Sequence, residues 1–213
     1  MPFSKSQLGQ DLFVLAFNES NKPKFFVEFG ATDGVTGSNT WLLEKKLGWE
    51  GIVAEPAKIW HEALFLNRKC HIETKCVAKK SGAFLDFLEV RDKKGGSPTL
   101  SCLEEYSDNG DWASKLRKKD YIKYKVETIS LEDLLLKYKA PNEIEFLSID
   151  TEGSELDILK SFDFKKYKIN IICIEHNYVK KTRKLIHDYL IKKGYKNVLK
   201  EVSKYDDWYL LNF

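Results

Sequence analysis

Short apolar runs alternate with amphipathic stretches along most of the chain. The runs are rich in strand-forming residues, and the stretches between them carry apolar positions at helical spacing. The predicted core strands are residues 25–29, 51–54, 71–78, 144–149 and 169–174. The predicted helices lie at residues 6–17, 39–47, 59–67, 130–135, 156–162 and 185–190. This alternation predicts an open, mostly parallel α/β sheet in a single domain over residues 1–213.

Four segments depart from the simple alternation. Residues 1–22 are predicted to form an N-terminal helix and the segment that leads into it. The apolar side of this helix would consist of Leu8, Leu12, Leu15 and Ala16. A turn is predicted at residues 21–23. Two extra strands are predicted at residues 84–90 and 122–126. The C-terminal part is predicted to form a hairpin, in which residues 195–202 pair with residues 208–213 across a turn at 204–207. Residues 91–110 are rich in turn-forming residues. Because a long irregular insert in a compact domain is usually functional or mobile, we expect this one at the acceptor site.

Composition narrows the class of protein. The chain has 213 residues, of which 43% are hydrophobic, so it is long enough for one domain with a substantial core. Its net charge is only +3. Its lysines are scattered, which argues against a nucleic-acid partner. We find no apolar run of membrane-spanning length and no signal peptide, and therefore expect a cytoplasmic protein. The oligomeric state stays open, a homodimer included.

The four cysteines show no paired metal-binding spacing. Cys70 and His71 with Cys76 read as half of a zinc site, but no second half follows in the sequence. We therefore expect reduced, structural thiols.

A glycine turn follows the first predicted strand. The strand ends at Gly30, and Asp33-Gly34 makes a turn before the next helix. Glycine lets the backbone approach a ligand, and the amides at a helix start face outward, so this is a place to bind a nucleotide. The acids Glu28 and Asp33 disfavour a pyrophosphate and favour a nucleoside with a cationic tail.

Acidic residues stand at the ends of several predicted strands. Glu55 follows the second strand, Asp150 the fourth, and Glu175 with His176 the fifth. Ligands of open α/β sheets lie outside these strand ends, where a carboxylate after the second strand accepts hydrogen bonds from ribose hydroxyls. If the fourth and fifth strands are neighbours, Asp150 and Glu175-His176 share one pocket wall.

Each of these signals has a plainer interpretation. Glu55 reads equally as an exposed capping acid before Pro56, and His176 as a hydrogen-bonded histidine at a strand end. We interpret Glu155 and Asp157 as acids placed favourably at a helix start. The tryptophans are interpreted as core residues: Trp41, Trp49 and Trp60.

Several motifs in order resemble those of one family. Residues 26–40 contain Glu-Phe-Gly-Ala-Thr-Asp-Gly followed by Ser-Asn-Thr, and residues 49–56 read Trp-Glu-Gly-Ile-Val-Ala-Glu-Pro. Further matches lie at residues 6–11, 126–135, 147–155 and 174–177. In these stretches, which span nearly the whole chain, the sequence resembles the FkbM-type S-adenosylmethionine-dependent methyltransferases.

The resemblance implies a fold and a cofactor. The fold is the Rossmann-like class I methyltransferase sheet, seven-stranded and mostly parallel with an antiparallel last strand. The cofactor is S-adenosylmethionine, and the acceptor is a hydroxyl of a sugar, a glycan or a natural product. By position, Glu28, Gly30, Ala31 and Gly34 border the methionine part, Glu55 holds the ribose and residues 76–78 lie by the adenine. The full set of implied cofactor residues is Gln7, Asp11, Glu28, Gly30, Ala31, Asp33, Gly34, Ser38, Asn39, Glu55, Pro56, Cys76, Val77 and Ala78.

The acceptor oxygen must lose a proton during or after its attack on the methyl group. Asp150 is the first candidate for the base and His176 the second. A cluster of Asp150, Glu152 and Glu175 is the alternative, because it suits Mg²⁺ or another hard cation. The implied acceptor contacts are Ser97, Thr99, Ser101 and Asn177.

Three other functions compete with this one. A nicotinamide-dependent oxidoreductase also uses the glycine turn and Glu55, but normally needs a fuller glycine fingerprint. A nucleic-acid methyltransferase suits the basic isoelectric point, yet Asp-Thr-Glu-Gly at 150–153 replaces the Pro-Pro-aromatic loop of amino-methylating enzymes. A non-catalytic binding module on the same fold is the third.

Overall fold

A computed structural model describes residues 3–18, 24–92 and 95–212. The strands are β1 (Phe25–Phe29), β2 (Glu50–Ala54), β3 (His71–Glu73), β4 (Cys76–Val77), β5 (Phe84–Val90), β6 (Cys102–Leu103), β7 (Tyr121–Ile129), β8 (Glu143–Ile149), β9 (Lys168–Glu175), β10 (Tyr195–Val198) and β11 (Asp206–Leu211). The helices are α1 (Gln10–Phe17), α2 (Trp41–Leu47), α3 (Lys58–Asn67), α4 (Ser114–Arg117), α5 (Leu131–Lys137), α6 (Glu155–Ser161) and α7 (Lys180–Lys192).

Seven strands form the main sheet, in the order β10-β11-β9-β8-β1-β2-β3. Strand β11 runs antiparallel to both of its neighbours, and β1, β2, β3, β8 and β9 pair in parallel. The predicted α/β sheet with an antiparallel last strand is confirmed. Chain order reverses between β1 and β8, so the loops after these strands meet at a switch point, where ligands of such sheets bind.

Helices cover both faces of this sheet because β1 is apolar on both of its sides. Phe25, Val27 and Phe29 pack into the core beneath α5, α6 and α7, and Phe26 packs on the other face beneath α1, α2 and α3. All five residues of β1 are buried. None of the helices in the described ranges has the length and apolarity to cross a bilayer.

A second, four-stranded sheet lies beside the main one, in the order β4-β7-β5-β6. The extra strands predicted at 84–90 and 122–126 are its antiparallel pair β5 and β7. The prediction of a single strand over residues 71–78 is wrong, because this segment forms two strands, β3 and β4. It ends at Glu73, whose carboxylate accepts a hydrogen bond from the Lys75 amide, and β4 then pairs with β7 instead of β2.

The N-terminal helix differs from its prediction. It begins at Gln10, not at residue 6, because Gly9 has a φ of 85° that ends helical geometry there. Its fully buried residues are Gln10, Asp11, Phe13 and Val14. Of the predicted apolar side, Leu8 and Leu15 are partly buried and pack against the same core, and Leu12 and Ala16 are not among its members. Phe13 stacks on Trp208 of β11 with ring centroids 4.8 Å apart, and this contact sets which side faces the sheet.

Two further predicted segments differ in extent. Strand β10 ends at Val198 and β11 begins at Asp206, so the C-terminal hairpin is confirmed with a longer turn than predicted. The insert 91–110 includes β6 and two short 3-10 turns, Pro98–Leu100 and Glu104–Tyr106. The predicted turn at 21–23, residues 93–94 of the insert and Phe213 of the hairpin lie outside the described residues.

Candidate active site

A cavity of about 300 Å³ opens at the carboxyl ends of β1, β2, β8 and β9. Its far side is formed by the second sheet and by the turn at 97–101. The predicted site residues on its wall are Gln7, Glu28, Gly30, Asn39, Glu55, Pro56, Cys76, Val77, Ser97, Thr99, Ser101, Asp150, Glu152, Glu175 and Asn177. The structure does not place the following ones there: Asp11, Ala31, Asp33, Gly34, Ser38, Ala78 and His176.

Two of the acids that miss the wall, Asp33 and Asp11, form hydrogen bonds within the neighbouring segments. Asp33 accepts hydrogen bonds from the amides of Val35 and Thr36, at 2.8 and 2.7 Å, and so caps its own turn. Asp11 accepts from the hydroxyls of Ser4 and Ser6, which fixes the segment before α1. These two acids therefore support segments next to the cavity without lining it.

Glu28 organises the loop that leads into α2. Its carboxylate accepts hydrogen bonds from the Ser38 hydroxyl (2.9 Å), the Asn39 amide (2.6 Å) and the Thr40 hydroxyl (2.5 Å). Arg68, fully buried, faces the same carboxylate at 3.4 Å and also bonds to Glu44. Arg68 was not predictable as a site residue, because a single arginine after a helix carries no local signal of burial.

Glu55 ends β2 with its carboxylate held by the main chain. One oxygen accepts from the Thr32 amide at 2.9 Å and the other from the Ala57 amide at 2.8 Å. Burial raises the pKa of Glu55 to about 7, against the lowering effect of these two amides. Each oxygen keeps a lone pair for a further donor, so the group can accept two hydroxyls from a ligand in the cavity.

Beyond Glu55 the wall becomes apolar. Cys76 and Val77 of β4 lie there beside Phe87 and Leu103 of the second sheet. Trp60, interpreted from the sequence as a core residue, packs against this cluster and also lines the cavity. A flat heterocycle would find apolar contacts on this side, next to a carboxylate that accepts hydroxyls.

Three carboxyl groups converge on the other side of Gly30. Strands β8 and β9 pair in register, which brings Asp150 beside Glu175, and with Glu152 their oxygens lie within 4.8 Å of one another. Burial, and then repulsion between the acids, raises the pKa of Asp150 and of Glu175 well above the usual range. A proton shared between Asp150 and Glu175 relieves that repulsion.

Glu152 has partners of its own. The Arg117 guanidinium bonds to its carboxylate, and the Asn177 side-chain amide donates to it at 3.2 Å and to Glu175 at 2.7 Å. Burial still raises the pKa of Glu152 to about 7. The cluster has the carboxylate oxygens that Mg²⁺ requires, but one of its charges is already offset by Arg117.

The loops around the cavity contain strained backbone. Thr32, Glu152 and Asn177 have φ angles of 47°, 60° and 45°, in the left-handed region that L-residues rarely adopt. They follow β1, β8 and β9, and all three line the cavity. Such strain persists only where surrounding contacts enforce it, and it concentrates at functional sites.

Comparison with known proteins identifies the family. The Methyltransferase FkbM domain profile matches residues 28–197, well over half of the chain. The chain belongs to the FkbM methyltransferase family. This confirms the resemblance seen in its motifs.

A solved structure agrees on the fold. The chain is similar to Methyltransferase FkbM from Methylobacillus flagellatus KT, with a TM-score of 0.55 and 12% identity, over 88% of this chain and 43% of that one. It therefore spans less than half the length of that protein. A fibrillarin/NOP5P complex gives a TM-score of 0.44 and 12% identity, over 98% of this chain and 81% of that one, which is too low to support a conclusion. No curated protein matches the sequence.

His176 lies outside the cavity of this FkbM-family domain, so the prediction that it shares the wall with Asp150 is wrong. Successive side chains at a strand end point to opposite faces, and Glu175 takes the cavity side. The His176 ring accepts a hydrogen bond from the Tyr178 amide at 3.0 Å and lies 3.9 Å from Asp207. Burial lowers its pKa.

Other residues on the wall of the FkbM-family site were not found from the sequence. Tyr205, in the turn before β11, donates to Gln7 at 3.0 Å, and burial raises its pKa to about 12. Trp112, just after the insert, also lines the cavity. Glu73, the acid at the end of β3, does not line the cavity, and its carboxylate accepts a hydrogen bond from the Lys137 ammonium group at 2.7 Å. None of these three placements has a local signal, because each depends on a contact with a segment that is distant in the chain.

Proposed function

We propose that the protein is an S-adenosylmethionine-dependent methyltransferase that methylates a hydroxyl of a sugar, glycan or natural-product acceptor. The observation that carries the proposal is Glu55, held by two backbone amides at the end of β2, between an apolar wall and the acid cluster. A nucleoside fits this order of surfaces. Its ribose meets Glu55, its base meets Cys76 and Val77, and its cationic side meets the carboxyls.

When bound, S-adenosylmethionine supplies an electrophilic methyl group on a sulfonium. The residues of the protein then have three tasks. Glu55 orients the nucleoside through its ribose. Asp150 and Glu175 accept the proton that the acceptor hydroxyl releases, Asp150 being the first candidate because it ends the central strand β8. The third task, holding the acceptor oxygen in line for attack, belongs to the part of the cavity wall beside these carboxyls.

The fit has a packing requirement at Gly30. A Cβ there would overlap the carbonyl oxygen of Asp150, and the residue has a φ of 77°. Only glycine lets the loops after β1 and β8 approach this closely. The approach brings the ribose and carboxyl sides of the cavity together, as a compact cofactor requires.

Calorimetric titration with S-adenosylmethionine and S-adenosylhomocysteine tests the proposal. Glu55→Gln is expected to weaken binding by about tenfold or more, because it removes a charged acceptor of ribose hydroxyls. Glu62→Gln, on the exposed side of α3, is the matched control and should bind as the wild type does. Failure of the wild type to bind either compound, or tighter binding of NAD, refutes the proposal.

A further inference from the structure

Trp112 is a large apolar side chain that the fold leaves in solvent. It is 63% exposed and lies on the wall of the cavity, and Arg117 joins the neighbouring Asp111 to Glu152 of the acid cluster. Nothing in its own packing explains an indole there. Exposed aromatic side chains at the mouth of a cavity provide contact area for a ligand.

The turn that carries Trp112 is held on both sides. The Asp111 carboxylate accepts from the amides of Ala113 (3.0 Å) and Ser114 (2.8 Å), and Arg117 donates to both of its oxygens, at 2.9 and 2.7 Å. Ala113 is buried. The backbone position of Trp112 is therefore set before any ligand arrives, which lowers the entropy cost of binding.

Two hydroxyl groups from the turn at 97–101 also belong to the cavity wall. Ser97 and Thr99 lie on the wall with their oxygens 2.8 Å apart. Ser101 differs, because it donates to the Pro98 carbonyl at 2.6 Å and accepts from the Val90 amide at 3.0 Å. Ser101 therefore supports the turn, and Ser97 and Thr99 keep hydrogen-bonding capacity for a polar ligand.

Among the residues that the structure describes, the cavity wall offers no countercharge to an anion. Within the described ranges, its side chains include carboxyls, hydroxyls and apolar groups, but no lysine, arginine or histidine. The nearest guanidinium, Arg117, is fully buried and bonded to Asp111, Glu152 and the Leu100 carbonyl. Phosphate recognition in proteins relies on such donors, and here they are committed elsewhere.

We propose that Trp112, with Ser97 and Thr99, forms an acceptor subsite for an uncharged, hydroxyl-bearing ring that stacks on the indole. On the wall that the structure describes, a phosphate or a nucleoside diphosphate on the ring would find no cationic partner, so we expect the acceptor ring to carry neither. A neutral sugar of this kind is separated from its nucleotide by glycosyl transfer, so we expect methylation to follow that transfer. This inference rests on the proposed function.

The test compares matched probes on enzyme saturated with S-adenosylhomocysteine. Neutral methyl hexopyranosides, the corresponding hexose 1-phosphates and the corresponding hexosamines are examined by saturation-transfer NMR. Methyl transfer to each from labelled S-adenosylmethionine is then measured. We expect binding and transfer with neutral probes only. Trp112→Ala should raise the acceptor KM about tenfold, Trp112→Phe should restore most of the loss, and cofactor affinity should not change.

Phe65→Ala on α3 is the matched control, because Phe65 is also an exposed aromatic (54%) but lies off the wall. The inference is overturned if no neutral probe binds, if a phosphorylated or amine-bearing probe is preferred, or if Trp112→Ala behaves as Phe65→Ala does. Loss of cofactor affinity in Trp112→Ala also overturns it. Wild type that fails to bind S-adenosylhomocysteine counts against the proposed function instead.

Discussion

Arg117 and Glu152 form a buried ion pair that links the helix α4 to the loop after β8. Arg117 also bonds to Asp111, so one guanidinium joins the turn of Trp112 to the acid cluster. The two sides of the cavity, built on different sheets, are therefore mechanically connected through this side chain.

Arg117→Met is expected to lower the free energy of unfolding by about 3–5 kcal/mol, because it leaves two buried carboxyls without their cation. Lys118→Met is the matched control. Lys118 pairs with Asp108 in solvent, at 2.7 Å, and its loss should cost about 1 kcal/mol or less. Urea denaturation followed by circular dichroism measures both. Equal effects of the two substitutions would show that the Arg117 pair is not important for stability.

Gly30→Ala is expected to destabilise the protein and to weaken cofactor binding together, because the new methyl group displaces the Asp150 carbonyl. Gly110→Ala separates packing from backbone strain. Gly110 has a similar φ of 85° but nothing within 4 Å of an added Cβ, so only the strain of about 1–2 kcal/mol is expected there. Thermal unfolding and calorimetry check both variants. A Gly30→Ala protein no less stable than Gly110→Ala contradicts the close approach.

Cofactor affinity should depend on pH through Glu55. Its pKa is about 7, and the ionised carboxylate is the better acceptor of ribose hydroxyls, so affinity is expected to rise between pH 6 and pH 8. The rise should be smaller in Glu55→Gln, and the part that remains is expected from Glu152, whose pKa burial also raises to about 7. Calorimetry across this range measures the profile, and an identical slope in the variant would assign the titration to another group.

Glu55 should also lower stability at alkaline pH. Burial raises its pKa from 4.5 to about 7, so the folded protein binds this proton more tightly than the unfolded chain does. Stability from this group is then greatest below pH 4.5 and is lost as pH rises toward 7. Glu55→Gln is expected to be more stable than wild type at pH 8 while it binds cofactor less well, and urea titrations at pH 5 and pH 8 compare them.

The strand-end acids were predictable because their signal is local. Asp150 and Glu175 each follow an apolar run, and parallel pairing then brings the strand ends together whatever the rest of the chain does. The direction of a side chain was less predictable. His176 is the neighbour of Glu175 in sequence and points to the other face, which only the exact end of β9 determines.

Tertiary contacts explain the remaining misses. Cys76 and Val77 look like a continuation of β3, but the better partner for their backbone is β7, some fifty residues later in the chain (Cys76 pairs with Thr128). Trp112 comes from a turn with no apolar periodicity, and its place on the wall depends on Arg117 finding Glu152. The sequence contains both residues, but not the folded distance between them.

Removal of divalent cations is expected to leave turnover unchanged. Arg117 offsets the charge of Glu152, and a proton shared between Asp150 and Glu175 relieves the repulsion between these two carboxyls. The cluster therefore does not need a metal ion for charge balance. Methyl transfer is measured before and after dialysis against EDTA. Activity lost on dialysis and restored by Mg²⁺ would instead assign the three carboxyls as ligands of a cation that activates the acceptor.

Asp150→Asn is expected to lower kcat by about 10²–10⁴-fold, the range typical for loss of a general base, and to leave calorimetric affinity for S-adenosylmethionine largely intact. The isosteric amide keeps the packing against Gly30 but cannot take the proton. Asp188→Asn, in the exposed pair with Lys184 on α7, is the matched control and should keep wild-type kcat. Glu175→Gln distinguishes the roles of Asp150 and Glu175. If it lowers kcat as much as Asp150→Asn does, the two carboxyls hold one proton together. Near-wild-type kcat in Asp150→Asn, with impaired Glu175→Gln, would transfer the role of base to Glu175, because both carboxyls face the same side of the cavity.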